Sequence, residues 1–215
     1  MYLTRLVLNP RNRQVQREVA QPYEMHRSMM RAFPDDLEEG QERVLFRLET
    51  AGRLVLLVQS WTPPDWSCLA SPAHRGYLLP VSEPNPALKA FDLALQAGQA
   101  LAFRLRANPT VKRKFPEGDH KRVGIYRPEE QMEWLRRKGE RGGFAVLSAN
   151  TSGRVTVKGW VGGNGKRRPL TMVSVQFDGI LQVTDPDRLW MRVRQGIGSG
   201  KGLGFGLLSL APAGL

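Results

Sequence analysis

The segment Gln21-Pro22-Tyr23-Glu24-Met25-His26-Arg27 sets a phenol and an imidazole three residues apart, directly after a proline. Proline favours the first position of a helix, which puts Tyr23 and His26 on one face of its opening turns. The free N–H groups and dipole of a helix N-terminus attract an anion such as phosphate. Arg27 and Arg31, one turn apart, add positive charge. Histidine titrates near neutrality and can take up or give a proton. Beside an RNA phosphodiester these groups suffice for metal-free cleavage. The 2′-hydroxyl is then the nucleophile, and the protein moves protons and stabilises charge at phosphorus. The same residues also fit an ordinary helix start, with Tyr23 packed as a staple and His26 a partly exposed polar residue.

A second suggestive stretch lies near the C-terminal end. Residues 195–210 read QGIGSGKGLGFGLLSL, with Gly196, Gly198, Gly200, Gly202, Gly204 and Gly206 at every second position and Lys201 among them. That many glycines weaken a strand. They suit a backbone that approaches something closely or takes positive φ. N–H groups exposed beside Lys201 suit a phosphate. Neither common nucleotide pattern is present. Gln195 stands where a P-loop requires glycine, Gly202 follows the lysine in place of Ser or Thr, and there is no G-x-G-x-x-G register. The plainer reading is a flexible loop feeding a last apolar strand over residues 207–210.

Charge favours an anionic partner. The 215 residues carry a net +12, and the whole excess lies in residues 101–215, since the first hundred are balanced. Such a footprint points to a polyanion, with nucleic acid leading. A membrane surface is the other candidate, but no basic amphipathic helix stands out and no apolar run approaches the about 18 residues of a span. Cys68 is alone, and His26, His74 and His120 are widely scattered, so no disulfide, metal or cofactor is expected. His74 and His120 read as surface residues. The N-terminus reads as a strand without a signal-peptide layout, and a cytoplasmic protein is expected.

These residues need elements to position them. Residues 2–8 alternate as a strand ending at Asn9-Pro10. Residues 11–33 read as a helix in two parts broken at Pro22, residues 43–49 and 53–60 as a hairpin, and residues 62–87 as irregular connection. The second half repeats the opening: a strand over 100–107 ends at Asn108-Pro109. A basic, turn-rich loop follows, then a helix over 128–139. Strands are expected over 144–147, 153–160, 169–175 and 177–183, and a helix over 185–194 with Asp185 as N-cap. The order predicts an α+β protein of two tandem ferredoxin-like (RRM-like) βαββαβ domains, residues 1–87 and 88–215. In Phe103-Arg104-Leu105-Arg106 the alternation predicts one apolar face and a basic stripe of Arg104 and Arg106. Residues 201–205 partly match the RNP1 string of RNA-recognition strands, departing at Leu203 and Gly206, which favours RNA over DNA.

Four segments together resemble the CasE family, the CRISPR repeat-RNA endoribonuclease subunits of type I-E Cascade. They are Met1-Tyr2-Leu3-Thr4, Tyr23-x-x-His26, Phe103-Arg104-Leu105-Arg106-Ala107-Asn108-Pro109 and residues 195–212, so the resemblance spans the chain. It implies two ferredoxin-like domains. It also implies metal-independent cleavage of precursor CRISPR RNA at the base of the repeat stem-loop, by 2′-hydroxyl attack and with a 2′,3′-cyclic phosphate product. The mature RNA would be retained, other Cascade subunits would be partners, and no small-molecule cofactor or membrane would be involved. The resemblance makes His26 the general acid and Tyr23 the general base or a positioner. It assigns RNA binding to Arg27, Arg31, Arg104 and Arg106, to the glycine loop (Gly198, Gly200, Lys201, Gly202, Gly204), and to a basic hairpin of Arg154, Lys158, Lys166, Arg167 and Arg168. The residues alone also fit a non-catalytic RNA-hairpin-binding subunit of a ribonucleoprotein, or a basic assembly scaffold.

Overall fold

The computed structural model describes residues 1–34, 42–114, 118, 120–161 and 168–214, apart from the side chains of 154–155, 158–161 and 168–170. The chain divides into two compact units. Met1–Asp92, Gly159–Pro169 and Lys201–Gly204 form the first, and Leu93–Lys158, Leu170–Gly200 and Phe205–Leu215 the second.

The first unit runs β1 (Tyr2–Val7), α1 (Arg13–Ala20), α2 (Pro22–Met30), β2 (Leu45–Glu49), β3 (Val55–Ser60) and β4 (Ala87–Ala90). Its antiparallel sheet has the order β2-β3-β1-β4, the ferredoxin-like arrangement. The expected domain boundary at 87/88 therefore falls inside β4, which pairs with β1. Asn12 starts α1 by accepting from the N–H groups of Gln14 (2.9 Å) and Val15 (3.1 Å). Pro22 ends that helix and opens α2, because it offers no N–H to continue the ladder but suits a first helical position. Leu6, Leu8, Val15, Met25, Met29, Phe46, Leu56 and Val58 pack into one core between sheet and helices. Where a second long helix would follow β3, the proline-rich stretch makes two short 3-10 turns, Trp66–Ala70 and Pro72–His74.

The second unit runs β5 (Ala100–Ala107), β6 (Thr110–Lys114), β7 (His120–Gly124), α3 (Pro128–Glu140), β8 (Phe144–Val161), β9 (Arg168–Val183), α4 (Pro186–Gln195) and β10 (Leu208–Pro212). Its main sheet, β10-β5-β9-β8, repeats the ferredoxin-like order. The basic stretch expected as a loop is instead the hairpin β6–β7. Its strands lack an apolar alternation because most of their residues are exposed. The four strands expected between 144 and 183 are two long ones. The polar run 148–153 and Gln176 read as breaks in the hydrophobic pattern, yet the backbone stays in the strand. Asp185 caps α4 as expected, accepting from the Arg188 N–H at 3.0 Å.

Asn108 anchors the glycine-rich segment within this unit. Its Oδ1 accepts from the Val173 N–H (3.1 Å), and its Nδ2 donates to Ser199 Oγ (3.2 Å). The neck of the segment closes where Ile197 N–H donates to the Gly206 carbonyl (2.9 Å) and Gly206 N–H to the Arg106 carbonyl (2.8 Å). Replacing Asn108 by Ala leaves the buried Val173 N–H unpaired, which costs about 1–3 kcal/mol. A urea titration of Asn108→Ala should show a matching fall in unfolding midpoint. An unchanged midpoint would remove this side chain from the anchoring of the segment.

Candidate active site around His26

His26 sits one turn into α2, with Tyr23 one turn before it on the same face and both half-buried. The imidazole stacks on Phe46 of β2, ring centroids 6.3 Å apart and planes 13° from parallel. The 3-10 turn Lys201–Leu203, which belongs to the same compact unit, also approaches the ring. A Cβ placed on Gly202 would lie 3.5 Å from both Nε2 and Cδ2 of His26, so bare backbone covers the ring there. Gly204 follows at φ +82°, and a Cβ on it would come within 3.0 Å of Phe46 Cε2. The glycine spacing thus does two things. At Gly204 it supplies a left-handed backbone, and at Gly202, where φ is not positive, it supplies closeness.

His26 Nδ1 is buried and has no hydrogen-bond partner among the described residues. Burial pushes the pKa of His26 below its ordinary value, since a charged ring here would lose its hydration without gaining a partner. The free ring is therefore held neutral, with Nδ1 as its enclosed nitrogen. Among the described residues, no three His, Cys, Asp or Glu side chains gather into a metal-holding group.

A buried carboxylate holds the helix that carries this ring. Glu18 of α1 accepts from Gln14 Nε2 (2.8 Å), Ser28 Oγ of α2 (2.6 Å) and Tyr77 Oη (2.5 Å). Burial and this carboxylate push the Tyr77 phenol pKa upward, so it stays a donor. The sequence reading missed this network. An acidic residue on the inner face of a short helix was the available signal.

The other predicted residues are spread out. Arg27 is exposed and pairs with Glu24 at 3.3 Å. Arg31 ends α2 and turns to His74 (Nη1 to Nε2, 3.3 Å). Helical geometry puts neither arginine on the His26 face. His74, expected at the surface, is only 6% exposed, because the 3-10 turn around it folds onto the core. Arg104 and Arg106 do lie on the outward face of β5, opposite buried Leu101, Phe103, Leu105 and Ala107. Arg104 pairs with Asp178 at 2.5 Å. Arg106 donates to Ser174 Oγ (2.9 Å) and covers the Phe205 ring at 5.4 Å. Gly198 and Gly200 belong to the second unit. A Cβ on Gly200 would collide with Met172 and come within 2.9 Å of Phe205 Cδ2. The stretch compared with RNP1 is a 3-10 turn rather than a strand. Arg154, Lys158 and Arg168 lie in β8 and β9, with side chains outside those described, and Lys166 and Arg167 fall outside the described residues. The basic stretch expected as a loop is a second basic surface, built as the hairpin β6–β7. Lys112 faces Arg122 and Arg113 faces Lys121 across it, two pairs of like charge, with Lys114 opposite His120.

The comparisons agree with this architecture. A family model described as CRISPR associated protein matches residues 1–212. The CRISPR-associated endoribonuclease Cse3 of Thermus thermophilus is 44% identical, covering 99% of this chain and 100% of that protein. The CRISPR system Cascade subunit CasE of Escherichia coli is 31% identical, covering 88% of this chain and 92% of that subunit. A solved structure of Cse3 bound to a 19-nucleotide RNA has a TM-score of 0.83 at 41% identity, covering 99% of this chain and 100% of the other. The chain belongs to this family of CRISPR-associated proteins. Among the described residues, no helix is long and apolar enough to cross a membrane.

The buried ring makes stability depend on pH. A lowered folded-state pKa means that the native protein binds fewer protons than the unfolded chain just below 6.5. Stability is full above that value and falls as pH drops toward the folded pKa. His26 should titrate below 6.5 by NMR, and His26→Asn should flatten the acid side of the stability curve. An unshifted titration would show that the ring is not desolvated.

Proposed function

We propose that this protein is a CRISPR repeat-RNA endoribonuclease. It binds the repeat stem-loop, cleaves precursor CRISPR RNA, and stays with the mature RNA as a subunit of a Cascade assembly in the cytoplasm. The related Cse3 is named an endoribonuclease and has been solved with RNA, and CasE is named a Cascade subunit. The observation that carries the reading is a desolvated His26 whose Nε2 lies 3.5 Å from the position a Cβ on Gly202 would take, next to the glycine-rich turn.

The chemistry needs no metal. The 2′-hydroxyl oxygen attacks the adjacent phosphorus while the bond from phosphorus to the 5′-oxygen breaks, leaving a 2′,3′-cyclic phosphate and a 5′-hydroxyl. His26 gives the leaving oxygen its proton from Nε2. Tyr23 takes the 2′-hydroxyl proton or holds the nucleotide in line. A general acid must be charged, and burial keeps the free ring neutral. The negative phosphate is what raises the His26 pKa, so protonation accompanies substrate binding. The N–H groups of the Lys201–Leu203 turn then face an oxyanion, as donors fixed before the charge develops. Arg27, Arg31, Arg104, Arg106, Lys201 and the basic hairpin of Arg154, Lys158, Lys166, Arg167 and Arg168 hold the RNA backbone. The β6–β7 ladder joins them: like charges directly across a ladder repel, and a polyanion relieves that repulsion.

His26→Ala should cleave a cognate hairpin about 100-fold more slowly or worse, with little change in RNA affinity. Tyr23→Phe should match it if tyrosine moves the proton and fall short of it if tyrosine only positions. Cleavage should survive EDTA and stop with a 2′-deoxy nucleotide at the cut. Normal cutting of the deoxy substrate would overturn the mechanism. Binding of the hairpin by the wild type with no cleavage would leave only a binding subunit.

The two glycines facing the rings should separate chemistry from folding. Gly202→Ala has unstrained backbone and ordinary contact distance, so it should fold normally yet cleave more slowly, because the methyl sits over Nε2. Gly204→Val forces a branched side chain into positive φ against Phe46 and should lose about 1–3 kcal/mol of stability. Calorimetry with single-turnover cleavage distinguishes them, and wild-type rates in Gly202→Ala would show that the turn only packs the ring.

A further inference from the structure

Arginine has five N–H donors and no acceptor. The 3.3 Å approach of Arg31 Nη1 to His74 Nε2 therefore requires that Nε2 carry a lone pair. The ring proton then sits on Nδ1, which donates to Ser71 Oγ at 2.9 Å. His74 is 6% exposed and is packed edge-on against Tyr77, centroids 6.0 Å apart. Tyr77 is itself tied to the buried Glu18. A rigid chain of contacts thus runs from Glu18 and Ser71 through a fixed imidazole to one nitrogen of a guanidinium. Arg31 as a residue remains exposed, at the end of the helix that carries Tyr23 and His26.

We propose that His74 is a positioning residue: it holds Arg31 by one nitrogen so that the remaining donors are set in place for the RNA backbone. This rests on the RNA-binding function proposed above and names a residue outside the assigned site. A free arginine side chain has many rotamers, and ordering one on binding is costly. Anchoring Nη1 beforehand removes part of that loss while leaving the other donors of the fork available. A buried histidine suits the task because its neutral ring offers one acceptor in a fixed plane.

The test uses the full-length protein and a cognate repeat hairpin made uncleavable by a 2′-deoxy nucleotide at the cut. Asparagine places its amide near the Nδ1 position of the lost ring, reaching Ser71 but not Arg31. Glutamine places its amide near Nε2 and keeps an acceptor for Arg31. Both lose the ring and its packing on Tyr77, so any loss from packing is shared. His74→Asn should weaken binding about three- to tenfold, and His74→Gln should restore most of it. Arg31→Met should weaken binding about tenfold or more, and in that background the two His74 variants should bind alike. Equal affinity of the Asn and Gln variants with Arg31 intact would overturn the proposal. So would the same Asn-to-Gln difference persisting without Arg31. If Arg31→Met binds as wild type while His26→Ala still abolishes cleavage, the positioning role falls and the endoribonuclease reading stands. Failure of the wild type to bind the hairpin at all would sink both.

Discussion

The imidazole of His26 stacks on the Phe46 ring and is approached by the Lys201–Leu203 turn at Gly202, and much of the first unit is organised around that placement. The turn passes within ordinary contact distance of the imidazole at Gly202 and packs tightly on Phe46 at Gly204. The covering turn must then arrive with a defined backbone shape. That shape demands left-handed φ at Gly204 and, outside the turn, at Gly196, Gly198, Gly200 and Gly206. The price is a glycine-rich chain that would be floppy alone. It is offset by the Ile197–Gly206 hydrogen bond at its neck and by Asn108, which joins Ser199 to the backbone of Val173.

The other side of the ring is set by helix position. A short α2 opened by proline has little intrinsic stability. Its orientation comes from Met25 and Met29 in the core and from Ser28, held by the Glu18 carboxylate. Three donors meet that carboxylate without a paired cation among the hydrogen bonds described. Such a group is costly to bury and narrow in the geometry it accepts, so it fixes the relation of α1 to α2 more strictly than apolar contacts would. Burial within the same unit keeps the free His26 ring uncharged.

Much of this was legible in the residues. Pro22, the Tyr23-to-His26 spacing, the alternation of Phe103-Arg104-Leu105-Arg106 and the glycine repeat all report local backbone geometry, which sequence encodes directly. The β6–β7 hairpin was not legible, because exposed cationic strands carry no hydrophobic period. Strands β8 and β9 read as fragments because their polar stretches are held by pairing rather than by burial. Phe46 and His74 were invisible as site neighbours for a different reason. Phe46 meets His26, and His74 meets Arg31, across long sequence separations, and a buried histidine looks in sequence like any surface one. Arg104 and Arg106 were placed on the correct face, but their pairing with Asp178, Ser174 and Phe205 emerges only from strand register.

The first compact unit is discontinuous: Lys201–Gly204 belongs with Met1–Asp92, although more than a hundred residues lie between them. A fragment ending near Asp92 would carry both Tyr23 and His26 and still lack the turn that covers the imidazole. The histidine would then be more open to water and lose part of the cause of its lowered pKa. The unit that holds Tyr23 and His26 is therefore not a transplantable module. In evolution, as in the laboratory, it cannot be recombined by a single crossover, because its last piece is encoded almost at the far end of the chain.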